Sequence, residues 1–274
     1  MVGPEARHPQ GAALSDAIFT CDGERFVPSV HARGPWDPDA LHGGAPTALL
    51  ARALERLPTP APMRIVRLAV EFLGAVPLRP VTVVASLTRP GRRLALAEAV
   101  LRVDHADVVR ARATLLRVGA LALPAPAPDR VPVPGPDAVA PVRWGLGDTT
   151  EGFHLTGLEV RGHGPAAGTG GAALGWFRLR MPLVAGEEPT PLQRAVAVAD
   201  FGNGISRVLD FATHMFVNTD LTVHLHREPA GEWVALEART DLDPTGVGQA
   251  VSTLRDEHGR LGIGAQSLFV EERS

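Results

Sequence analysis

The strongest constraint on this chain is that it repeats itself. Displacing the sequence by 153 positions sets Val70 on Val223, Val81 on Val234 and Ala85 on Ala238. In the same ungapped register Leu101-Arg102 meets Leu254-Arg255, Asp104 meets Glu257, and Thr114-Leu115 meets Ser267-Leu268. A shared strand pattern, turn position and Leu-Arg pair read together as an internal duplication, so one fold has to be built twice. Between the copies runs GALALPAPAPDRVPVPGPDAVAPV (119–142), whose prolines forbid helix or central strand and favour extended backbone. The expected organisation is a first unit over 1–118, a proline-rich linker over 119–142 and a second unit over 143–274.

Each unit reads as one helix followed by long strands. Pro46 stands near the start of an Ala- and Leu-rich stretch, PTALLARALERL, that ends before Pro58. In the second unit Thr190 is a natural N-cap, Pro191 suits the first helical position, LQRAVAVAD continues the helix, and Gly202 and Gly204 are expected to stop it. Strands are predicted over 64–75, 80–89, 93–103, 107–117, 216–227, 232–240, 248–255 and 261–271, separated by turn residues such as Pro90-Gly91 and His258-Gly259. A single helix followed by four strands of this length needs a curved antiparallel sheet that wraps and buries it, which makes the fold α+β.

Composition narrows the function. A formal charge of −3, nine Phe, four Trp and no Tyr leave neither a basic field for a polyanion nor a row of rings for bases, so no nucleic acid partner is expected. All 27 cationic residues are Arg, which rules out chemistry that needs a Lys amine. Cys21 is the one cysteine, so no internal disulfide or multi-thiolate metal site can form and a reducing compartment is the natural home. Met1 to Phe19 lacks the apolar segment of a signal peptide, and no apolar run approaches the ~20 residues of a membrane span. A cytoplasmic protein with no membrane partner is the expectation.

Strand 216–227 alternates. Asn218, Asp220, Thr222, His224 and His226 share one face, and Thr219, Leu221, Val223 and Leu225 the other. His224 and His226 could both face a metal but have no third ligand, so no metal site is expected. Asp200 ends an apolar helix face just before glycines. It is either a partly desolvated carboxylate suited to act as a base, or a helix cap in water. Gln266 sits among apolar neighbours in LGIGAQSLFV, and its counterpart in the first unit is Ala113. One copy alone carries the amide, as a single site in a duplicated scaffold would require, although a structural buried Gln fits too. The letters DFG at 200–202 lack every companion of a kinase magnesium site. The run Gly162, Gly164, Gly168, Gly170, Gly171 lacks nucleotide-loop spacing and reads as a flexible hairpin loop.

FVNTDLTVHLHREPAGEW (216–233), DEHGRLGIGAQSLFVE (256–271) and ALHGGAPTALL (40–50) together resemble the double-hotdog acyl-CoA thioesterases, the acyl-CoA thioesterase II group in particular. The likeness covers most of both halves. It implies a double hotdog, two tandem helix-wrapped antiparallel sheets forming a pseudo-dimer, that hydrolyses an acyl-CoA or acyl-carrier thioester without a cofactor. Further association into a homo-oligomer is left open. In that family an Asp at the end of the second-unit helix, a Thr or Ser at the start of the next strand and a Gln on the last strand hold the attacking water. Asp200 and Gln266 match the first and last. Asn218 stands where the hydroxyl belongs, with Thr219 as a secondary candidate whose side chain should point the other way. His42, Gly43 and Gly44, leading into the first helix, are the natural place for backbone N–H groups to meet the acyl carbonyl, or else a plain helix-opening turn. Arg89, Arg92 and Arg93 at a hairpin tip are either cations for the coenzyme A phosphates or simply solvated turn residues.

Two rival readings remain. A hotdog enoyl-CoA hydratase would use Asp37 and His42, whose spacing in DPDALH fits while the intervening residues do not. A non-catalytic acyl-thioester binder is kept open by Asn218.

Overall fold

The computed structural model describes residues 16–124, 133–142, 150–163 and 171–273. Its strands are β1 (Phe19–Asp22), β2 (Arg25–Pro28), β3 (Met63–Phe72), β4 (Val81–Arg89), β5 (Leu94–Val103) and β6 (Ala106–Arg117) in the first half. The second half supplies β7 (Leu158–His163), β8 (Ala173–Leu179), β9 (His214–Asn218), β10 (Asp220–Leu225), β11 (Val234–Asp243), β12 (Val247–Asp256) and β13 (Gly259–Glu272). The helices are α1 (Gly44–Glu55), α2 (Pro191–Ala199) and the single turn α3 (Gly202–Ile205). All strand ladders are antiparallel, and they join into one sheet in the order β1-β2-β4-β5-β6-β3-β10-β13-β12-β11-β8-β7, with β9 paired to β13. This is the α+β architecture with a large antiparallel sheet expected from the long strands.

The order reads alike from both ends, and its centre is the pairing of β3 with β10. Strand bounds follow the 153-residue offset: β4 and β11 open on Val81 and Val234, and β5 and β12 cover 94–103 and 247–256. The outermost hairpins, β1–β2 and β7–β8, went unread in the sequence. They are short, and the glycine run begins inside β7, where Gly162 pairs with Gly175, while Gly164, Gly168 and Gly170 fall outside the described residues. Of the expected linker, residues 125–132 are likewise outside. Residues 133–142 dock on the second half: Trp176 Nε1 donates to Pro134 O at 2.8 Å, and Val142 N to Val160 O at 2.9 Å.

Alternation along the strands places Leu68, Val70, Leu101 and Leu115 of one half and Leu221, Val223, Leu236 and Leu254 of the other in one continuous apolar core with the helices. Thr190 caps α2 as its sequence position predicts, accepting from Gln193 N at 3.2 Å, and its hydroxyl donates to Glu55 at the end of α1. Burial raises the Glu55 carboxyl above its ordinary range, against the lowering by Gln193 and Thr190. Arg52 of α1 reaches Glu187 at 2.6 Å. The expected helix stop at Gly202 and Gly204 is corrected: α2 ends at Ala199, and both glycines lie in α3. Close approach explains the first, because a Cβ on Gly202 would sit 2.7 Å from Gln266 Oε1 and 2.8 Å from Ser252 Oγ.

The tightest helix contact is at Gly44, where a Cβ would lie 2.3 Å from the Ala197 carbonyl oxygen. Because the obstacle is backbone, α1 and α2 would have to move apart. Overpacking of this kind costs about 1–3 kcal/mol. Gly44→Ala is therefore expected to lower unfolding free energy by that amount in urea titrations, and parental stability would show that the two helices separate freely.

Candidate active site

Asp200 is 4% exposed at the C-cap of α2, with ordinary helical dihedrals. A buried carboxylate requires donors, and two strands supply them. Asn218 Nδ2, at the end of β9, donates to Oδ1 at 2.9 Å. Gln266 Nε2, on β13, donates to the Asp200 backbone oxygen at 3.0 Å and more weakly to Oδ1 at 3.4 Å. His42 Nδ1, just before α1, lies 3.0 Å from Oδ2. Of the two sequence readings of Asp200, the desolvated carboxylate is the one the structure holds.

Asp200, Asn218, His42 and Gly43 line one cavity of ≈ 80 Å³, together with Trp36, Phe201, Asn203, Phe211 and Phe216. Trp36, Phe211 and Phe216 form a mutual aromatic contact with centroids 4.4–4.8 Å apart. A Cβ on Gly43 would stand 2.8 Å from Asp200 Oδ2 and 2.9 Å from Phe72 Cζ, so glycine is what keeps the space over the carboxylate open.

Gln266 meets Asp200 away from the cavity. It is 3% exposed, does not line the cavity, and spends its amide on the backbone: Oε1 accepts from Asn203 N at 3.1 Å while Nε2 binds the Asp200 carbonyl. It clamps the α2–α3 junction from behind. Gly44 is also placed elsewhere, packed on α2 and outside the cavity.

Thr219 is not brought to the site. The single strand expected over 216–227 is broken there. Asn218 pairs with Leu268 and Thr222 with Ala265, so one strand advances four residues while its partner advances three, a one-residue bulge. Asp220 Oδ1 takes the Ser267 N–H at 2.6 Å, and Thr219 is exposed with its hydroxyl 3.4 Å from the Ser267 oxygen. The bulge interrupts the two-residue period. Asp37, the acid of the hydratase reading, is exposed and accepts the Asp39 N–H in a local turn at 2.8 Å. Arg89, Arg92 and Arg93 are at the β4–β5 turn and none lines the cavity. His224 and His226 are exposed, and no metal-binding cluster occurs among the described residues.

One residue near the site was missed. His154 lies on a π-helical turn, Phe153–Gly157, is 4% exposed, and has its ring centroid 6.5 Å from that of His42. Neither of its ring nitrogens has a hydrogen-bond partner among the described residues. Burial first, and the neighbouring His42 second, push its pKa from 6.5 down to about 3. The unfolded chain binds this proton near the ordinary value. Between those two pH values the unfolded state therefore holds more protons, and stability falls as pH falls, by up to about 1.4 kcal/mol per pH unit from this group. Urea unfolding from pH 7.5 to 4.5 should show the decline, and His154→Phe should flatten it by one proton's share. An unchanged slope in the variant would assign the decline to other groups.

Two family models match the chain: the acyl-CoA thioesterase N-terminal domain over residues 32–116 and the acyl-CoA thioesterase C-terminal domain over residues 127–270. No functionally curated protein matches the sequence significantly. Among solved structures, a protein of Thermobifida fusca assigned as a thioesterase II is similar over 92% of this chain and 95% of its own, at 19% identity and a TM-score of 0.70. A hot dog fold protein from Alicyclobacillus acidocaldarius is similar over 97% and 99%, at 17% and 0.68. An acyl-CoA thioesterase II from Mycobacterium marinum is similar over 86% and 91%, at 16% and 0.64. At these identities the structural likeness is one of hotdog fold, while the two family models span the two halves and the Asp200 site. The chain belongs to the acyl-CoA thioesterase family and is a thioester hydrolase.

Proposed function

We propose that the protein hydrolyses acyl-CoA thioesters as a double hotdog, with α1 wrapped by the sheet of the first half, α2 by that of the second, and one working site where the helices meet. The observation that carries this reading is the buried Asp200 carboxylate, which opens onto a cavity lined from both halves and is held by donors from separate elements.

A thioester carbonyl is already electrophilic, so water needs only a base and an orientation. The water sits between Asp200 Oδ2 and Asn218 Oδ1, the latter free to accept because Nδ2 is the atom that faces the carboxylate. Its oxygen attacks the carbonyl carbon as its proton passes to Asp200. General-base help of this kind is worth about 10²–10⁴-fold. The oxyanion meets the Gly43 N–H at the start of α1, a group with no acceptor among the described residues. Collapse of the tetrahedral intermediate breaks the C–S bond, and the departing thiolate takes the proton back from Asp200. Gln266 contributes by holding the α2–α3 junction, so that the carboxylate cannot swing away. The aromatic walls suit an acyl group. Arg207 lies over Phe211 and Arg273 over Trp36, offering cations beside the cavity for the phosphates of coenzyme A.

Release of free thiol from decanoyl-CoA tests this directly, with crotonyl-CoA hydration as the control activity. Asp200→Asn should keep the fold and lower kcat by about 10²–10⁴-fold. Asn218→Ala should lose about tenfold or more, and Asn218→Thr should retain most activity because a hydroxyl can still bind the water. Undiminished turnover in Asp200→Asn would remove the proposed base.

A further inference from the structure

His42 Nδ1 faces two partners that it cannot serve together. Gly44 N donates to it at 3.1 Å, and Asp200 Oδ2 is 3.0 Å away; only the Gly44 N–H meets it in hydrogen-bonding geometry. As an acceptor from Gly44, Nδ1 carries a lone pair and the proton sits on Nε2. As a donor to Asp200, it gives up the amide and occupies the oxygen that has to take the water's proton. The reaction therefore depends on which nitrogen of His42 is protonated, and whatever stands at Nε2 decides that.

His154 is the histidine ring that lies beside His42. A buried polar atom without a partner is costly, and among the described residues this ring has two. An apolar residue of similar volume would pack the same turn without that cost. Burial keeps the ring neutral well into the acid range, so it keeps a lone pair with which to accept. The two rings are stacked at 30° with centroids 6.5 Å apart, too far for a direct ring-to-ring hydrogen bond and within the span of two bonds of about 2.8 Å through one water. It sits on a π turn, a distortion that tends to be kept where it places a side chain for function. The turn is anchored at both ends: Phe153 N donates to Arg33 O at 2.9 Å, and Thr156 Oγ1 bonds His31 Nδ1 at 2.7 Å.

We propose that His154 is a positioning residue for the hydrolysis: through one bridging water it accepts the His42 Nε2–H, which holds His42 in the tautomer that leaves Asp200 Oδ2 free as the base. This rests on the reading of Asp200 as the base, but it has a readout of its own. His42 lies against the Phe153 and Phe201 rings as well as His154, so Asp200 and His154 are the titratable groups that face it.

The test uses the full chain labelled with 15N-histidine. Nitrogen chemical shifts should show wild-type His42 predominantly protonated at Nε2, and His154→Phe should shift it toward protonation at Nδ1. That result does not depend on turnover and so stands apart from the hydrolysis reading. In kinetics, His154→Phe should lower kcat about 10- to 100-fold with KM within about twofold, while its melting temperature holds or rises. His154→Gln, which keeps an acceptor and serves if the Phe variant folds poorly, should recover part of kcat and the wild-type tautomer. An unchanged His42 tautomer in both variants would overturn the proposal, as would wild-type kcat in His154→Phe.

Discussion

The arrangement of the second half depends on keeping one carboxyl group out of water. Placing a charge at 4% exposure costs several kcal/mol unless donors replace the lost hydration. For Asp200 those donors arrive from the end of β9 and from β13, with His42 of the first half against the other oxygen, so several elements must come together before the charge is tolerable. Gln266 shows how strictly this is enforced. Its amide reads the backbone on both sides of the α2–α3 junction, and Gly202 omits a side chain to let it in. The site is as much a folding requirement of the helix end as it is a place for chemistry.

The same dependence distinguishes the two copies of the sheet. Both copies carry a bulge at matching positions. In the first, Ile65 pairs with Leu115 and Arg67 with Thr114, which leaves Val66 as the extra residue. In the second the extra residue is within 219–221, where Thr219 is the counterpart of Val66. A bulge re-aims its neighbours, and the two copies use the re-aimed position differently. Ile65 is buried in the core, whereas Asn218 turns to a carboxylate. On the next strand Ala113 is core and Gln266 is the clamp. The backbone device is shared, and the polar residues that exploit it occur in the second copy.

This also separates what was legible in the sequence from what was not. The β4–β6 and β11–β13 strands were readable because alternation and turn residues are local signals, and the 153-residue offset carried one set onto the other. The α2 N-terminus was readable because Thr190-Pro191 states its own geometry. Asp200 and Gln266 were found through their types and places, but the partner of Gln266 was not, since nothing in LGIGAQSLFV says that its amide meets backbone instead of water. The bulge at Thr219 has no sequence mark, because the residues around it continue the alternation that the ladder breaks. His154 was invisible for a different reason. A π turn has no compositional signature, and a lone histidine beside a glycine-rich stretch looks like a loop residue until its burial is known.

Asn218 stands where the resembled family carries a hydroxyl, and the bulge gives the amide a use that a hydroxyl could not fill. Its Nδ2 donates to Asp200 Oδ1 at 2.9 Å and to the Asp220 backbone oxygen at 3.3 Å. A Thr or Ser has one proton to give and could satisfy only one of these acceptors. The second donation ties the carboxylate to the backbone just past the break, where Asp220 has already turned its side chain to the Ser267 N–H in place of a regular ladder bond. With both amide protons so used, Oδ1 is still available to the cavity. An amide at this position thus closes the loose end of the bulge and fixes the carboxylate in one side chain, and it does so without surrendering the acceptor that a water molecule would need.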